Sequence, residues 1–131
     1  MKKIVLLASI ISGIFTASCN DPDKVSLNHD QLLKCWTYSY EESAGVDGLL
    51  FRPCDFMDFP ASHFRVRFTL FDNNEATYLQ LSPVDAHQTV PGTWHYDDDA
   101  KVLTILHSSG DTVYHYHVNK IETEKLILKP N

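Results

Sequence analysis

The chain has 131 residues, 11 basic against 17 acidic, and a formal charge of −6 at pH 7. That length supports one domain with a single modest core. The acidic balance argues against nucleic acid as a partner and against attachment to an anionic membrane surface by charge, since both need clustered Lys and Arg.

The N-terminus opens with Lys2 and Lys3, followed by an apolar run over residues 4–15. Thr16-Ala17-Ser18 then place small residues ahead of Cys19. This is the layout of a bacterial lipoprotein signal, and the apolar run is too short to span a bilayer stably. Residues 1–18 are read as a removed signal and Cys19 as the lipidated first residue of the mature chain. Cleavage takes Lys2 and Lys3 and no acidic residue, which brings the formal charge to −8. The expected location is the bacterial outer membrane or cell surface, held there by the lipid on Cys19. Residues 19–30, polar and containing Pro22, read as a tether, and residues 31–131 as the domain.

Residues 31–33 suggest a helical turn, after which the pattern is β. Trp36, Tyr38 and Tyr40 alternate with Thr37 and Ser39. Phe64, Val66, Phe68 and Leu70 alternate with Arg65, Arg67 and Thr69. Further strands are predicted over residues 76–81, 92–96, 101–107, 112–118 and 125–128. Hairpin-length gaps rich in Asp, Asn, Ser and Gly join several of them, at 72–75, 97–100 and 108–111. Consecutive hairpins make an antiparallel up-and-down meander, and seven or eight such strands close into a barrel. Two stretches, residues 41–59 with Gly45, Gly48 and Pro53 and residues 82–91 with Pro83, Asp85 and His87, read as long rim loops.

Leu33-Lys34-Cys35-Trp36 and Gly92-Thr93-Trp94 resemble the Gly-x-Trp first-strand signature of small lipocalin-like domains. The stretches from Gly92 to Asp97, Leu103 to Ile105, Tyr114 to Val118 and Leu126 to Leu128 are similar to the second half of bacterial domains of that kind. Cys35 stands near where the first motif would carry glycine. The resemblance implies an all-β, up-and-down lipocalin-like barrel with an interior cavity, often for an apolar or amphipathic ligand, and no catalysis; no cofactor is expected.

Two cysteines remain after Cys19. Outside the cytoplasm Cys35 and Cys54 form either a disulfide or two unlinked buried thiols. Arg65 and Arg67 share a strand face, so they need carboxylates or a ligand anion. One reading is a structural network in which Arg52 or Arg65 pairs with Asp55 or Asp85. The other is an acidic headgroup bound by Arg65 and Arg67.

His115 and His117 point to one face. With His95 or His107 they could hold Zn²⁺ or Cu²⁺, but Tyr114, Tyr116 and Val118 make the better core face, and no metal motif is present. Asp85-Ala86-His87 lacks a nucleophile in a Gly-x-Ser-x-Gly setting. Asp97-Asp98-Asp99 lacks the glycine and glutamate of a calcium loop.

The expectation is therefore a lipid-anchored, non-catalytic envelope protein that takes a small apolar or amphipathic ligand at the barrel mouth, with no metal. Arg52, Arg65, Arg67, His87 and Trp94 are its candidate ligand-binding residues. The alternative is an assembly module with a filled barrel that docks an envelope protein.

Overall fold

The computed structural model describes residues 29–84 and 86–131. The predicted signal, Cys19, most of the tether and Asp85 lie outside the described residues. Eight strands form one closed antiparallel barrel: β1 (Cys35–Tyr38), β2 (Leu49–Pro53), β3 (Arg67–Leu70), β4 (Glu75–Leu81), β5 (His87–Asp97), β6 (Val102–His107), β7 (Thr112–Glu122) and β8 (Lys125–Pro130). Their order around the barrel is β1-β2-β8-β7-β6-β5-β4-β3, so all neighbours from β3 to β8 are consecutive hairpins. No helix among the described residues is long and apolar enough to cross a membrane.

Alternation decides which residues face inward. Cross-strand partners share a face, and the pairs Trp36↔Phe68, Phe68↔Tyr78, Trp94↔Ile105, Leu103↔Tyr116 and Phe51↔Leu126 run round the inner wall. These side chains are buried and form one cluster. The rings meet edge to face or tilted, with Phe51 5.4 Å from Phe68 and 6.3 Å from Tyr116. The interior is thus occupied by protein side chains.

Turn chemistry matches the gaps. Asn74 (φ 64°) and Gly110 (φ 94°) take the left-handed positions of the β3–β4 and β6–β7 turns. Asp97 Oδ1 accepts from the backbone N–H of Asp99 and Ala100, at 3.0 Å each, so the acidic run serves the β5–β6 turn.

Three segments differ from the sequence reading. Residues 64–66, read as the start of a strand with Arg65 and Arg67 on one face, precede β3, which begins at Arg67. Residues 41–59 do not form one loop. They contain the last two residues of the 3₁₀ turn η2 (Tyr40–Glu42) and the whole of β2. Residues 87–91, also read as loop, begin β5 and pair with β4. Pro91 is tolerated because the β5–β6 ladder starts only at Gly92↔His107, so no partner requires its missing N–H. Gly92 itself is demanded by close approach: a Cβ there would lie 2.2 Å from the Leu106 carbonyl oxygen. Gly92→Ala is expected to force β5 from β6, which a fall in melting temperature and lost amide protection in β6 would register.

The two barrel ends are unlike. At one end η1 (His29–Gln31) lies across the opening. Leu32 behind it is 1% exposed and joins the core, its carbonyl accepting from Trp36 Nε1 at 3.1 Å. His29 packs edge-on to Tyr96 and pairs with Asp98 at 3.1 Å, which ties the lid to the β5–β6 turn. Cys35 and Cys54 are joined by a disulfide at this same end, with Cα atoms 5.5 Å apart. The other end carries η2, the 108–111 turn and the β4–β5 hairpin, and is the open mouth.

Candidate functional site

Three of the five candidate residues gather at the open end. Residues 59–66 fold back over the outer face of β3 and β4. They leave a cleft of about 290 Å³ lined by Phe59, Pro60, Arg65, Arg67, Leu79 and His87 among others. Leu79 supplies the apolar floor from β4, and His87 enters from the start of β5, its ring edge-on to Phe64 at 5.7 Å.

The two arginines of the cleft play different parts. Arg65 is 9% exposed and fully engaged. Its guanidinium donates to Glu41 at 2.8 and 3.1 Å, to the Tyr38 carbonyl at 2.7 Å and to the Pro60 carbonyl at 2.8 Å. It also stacks between Tyr40 and Phe59, 5.0 and 5.2 Å from the ring centres. Arg67 faces outward on β3 opposite Thr37, is exposed, and makes no ion pair with any described residue. Among the described residues the cleft therefore offers one uncommitted guanidinium beside an apolar floor in an acidic protein.

Arg52 and Trp94 lie elsewhere. Arg52 grips Glu42 with bonds of 2.6 and 2.7 Å, donates to the Glu124 carbonyl at 2.9 Å and covers the Phe56 ring. Trp94 is a core residue whose Nε1 donates to the Phe71 carbonyl at 2.8 Å. Among the described residues the partners of Arg65 and Arg52 are thus Glu41 and Glu42, and Asp55 is not one of them. Asp55 is exposed, and Asp85 lies outside the described residues. The η2 turn splays its two glutamates, one to each arginine, and Ser39 Oγ donates to both, at 3.5 and 3.0 Å. Arg65 holds the Glu41 carboxyl down at about 2, well below the usual carboxylate range, and Arg52 lowers Glu42 in the same way.

Inside the mouth a second recess of about 420 Å³ lies between Tyr78, Tyr114, Val113 and His107. Burial raises the Tyr78, Tyr114 and Tyr116 hydroxyls above the ordinary tyrosine value. They stay neutral phenols, suited to hydrogen bonding and not to nucleophilic attack. A larger hollow of about 640 Å³ lies at the closed end beside the disulfide. Its lysine, Lys34, is already bound to the Thr123 carbonyl at 2.7 Å, and Asp55 and Glu124 make its rim acidic.

The histidines are dispersed. His115 Nδ1 meets Thr104 Oγ1 at 3.0 Å, His117 Nδ1 meets Asn119 Oδ1 at 2.9 Å, and His107 Nδ1 meets Ser109 Oγ at 2.9 Å. Among the described residues no group of three His, Cys, Asp or Glu side chains could hold a metal ion. No protein-family model, curated protein or solved structure matches the chain.

Proposed function

We propose that the protein is a lipid-anchored, lipocalin-like binding protein of the bacterial cell envelope that takes a small amphipathic ligand at its open end, without catalysis. The observation that carries the reading is Arg67, a guanidinium without an ion-pair partner among the described residues, set against Leu79 and Phe59 in a cleft at the rim. An arginine in that setting suits a carboxylate or phosphate headgroup, with the apolar floor taking the start of a tail. Anchoring fits the geometry: the described chain begins at His29 on the closed end, so a lipid on Cys19 would leave the cleft on the far side.

The test is calorimetric titration of the exported protein with dodecanoate, dodecyl phosphate and dodecanol. The two anions are expected to bind and the alcohol to bind much more weakly. Arg67→Ala is expected to weaken anion binding at least tenfold, the loss of one charge-assisted hydrogen-bonding partner worth about 1.5–3 kcal/mol. Equal affinity for dodecanol and dodecanoate would overturn the reading.

One observation favours the docking alternative. The barrel interior is filled, while Leu81 and Val84 on the β4–β5 hairpin are 51% and 81% exposed. That hairpin is the natural contact surface if the anions fail to bind.

A further inference from the structure

One strand edge of the barrel is open. Residues 87–91 pair with β4 on one side, while β6 begins pairing only at Gly92. Backbone groups along an antiparallel strand face alternate neighbours. Trp94 N–H donates to the Asn74 carbonyl, and the Ala86 carbonyl accepts from Ser82 N–H, so the even-numbered residues face β4. His87, Thr89 and Pro91 therefore aim their backbone groups away from it. The edge offers N–H donors at His87 and Thr89 and carbonyl acceptors at His87, Thr89 and Pro91, and all three residues are exposed. Of the devices that blunt an edge the stretch His87-Gln88-Thr89-Val90-Pro91 has only its closing proline, and it holds no lysine, no acidic residue and no bulge.

We propose that this edge pairs antiparallel with the same edge of a second copy, with Thr89 facing its own counterpart on a two-fold axis. The donors and acceptors are self-complementary in that register. Each Thr89 N–H donates to the opposite Thr89 carbonyl, and each His87 N–H donates to the opposite Pro91 carbonyl. Every edge donor is used. The donor that proline lacks would have met the His87 carbonyl at the outer limit of the ladder, where water reaches it. A register centred on Pro91 has no central donor at all. Charge points the same way: two copies of an acidic chain repel, and this edge is an uncharged stretch on which they can meet.

The experiment is cross-linking of the full chain in its own membrane. Opposed residues of a hydrogen-bonded antiparallel pair have Cα atoms about 5.5 Å apart, within disulfide reach. Thr89→Cys is expected to give a disulfide-linked dimer on a non-reducing gel, and Val84→Cys, at the exposed hairpin tip, is not. In sedimentation, the unmodified protein is expected to self-associate and Thr89→Pro to do so at least tenfold more weakly. The Thr89 N–H serves no internal bond, so Thr89→Pro is expected to keep the parent melting temperature. A monomeric unmodified protein, or equal cross-linking through Cys at both positions, would overturn the proposal. Capture of the Thr89→Cys variant by a different protein would also overturn it and assign the edge to a foreign strand.

Discussion

Replacing Arg65 with alanine is expected to cost about 2 kcal/mol of stability, read as a drop in the urea midpoint, through the loss of charge-assisted hydrogen bonds from a buried guanidinium. Arg65 is buried although Glu41 is exposed, so its removal strips donors from groups beneath it. Here those groups are the carbonyls of Tyr38 and Pro60 and the Glu41 carboxylate, which would keep only its long contact with Ser39 Oγ. Two rings, Tyr40 and Phe59, also lose the plane that spaces them. The 59–66 segment should then detach from the outer face of β3, taking the cleft with it.

The same pair predicts an acid dependence whose sign follows from Glu41. Its carboxyl is at about 2 in the folded protein against an ordinary 4.5. A lowered carboxyl stabilises the fold fully above the unfolded value, and the contribution is lost as pH falls from 4.5 toward 2. Glu42, lowered by Arg52, adds a loss of the same sign. The parent protein should therefore lose melting temperature across that window. Arg65→Ala should lose less, because its Glu41 has no guanidinium to favour the charged form.

The second large effect belongs to the disulfide. Cys35 and Cys54 are 19 residues apart, and closing a loop of that size restricts the unfolded chain by about 3 kcal/mol in the chain-entropy treatment. Cys35→Ser with Cys54→Ser is expected to lower stability by about that amount in equilibrium urea unfolding. The loop it closes contains η2 and β2, so the loss falls on the β1–β2 pairing and on the Glu41 and Glu42 contacts. Hydrogen exchange should show faster opening there than in the β6–β7 ladder.

Apart from the first half of β5, the strands from β3 onward are legible because their burial alternates. Ala76 and Tyr78 in β4 and Leu103 and Ile105 in β6 are core at every second position, and the sequence shows that pattern directly. The strand β2 was hidden for a physical reason. Leu50 faces outward yet is 5% exposed, so Leu49-Leu50-Phe51 reads as an unpatterned apolar run, pinned between Gly48 and Pro53. Gly48 is there to let the Leu128 carbonyl approach, since a Cβ would sit 2.7 Å from it. Pro91 concealed the first half of β5, although its position matters only where a neighbouring strand needs its N–H. The arginine partners were unreadable for another reason. Glu41 and Arg65 are 24 residues apart, and only the turn at η2 and the return of residues 59–66 bring them together. The same return assembles the cleft from Arg65, Arg67 and His87, which no local spacing announces.

The closed end has a mechanical consequence. His29, the Leu32 plug, the first residue of β1 and the disulfide all sit where the described chain begins. A pull arriving along the chain from residue 28 would meet β1, and a covalent bond would share the load with β2 after the first strand residue. The force would be borne by the braced end, and the rim, one strand-length away, would stay unloaded.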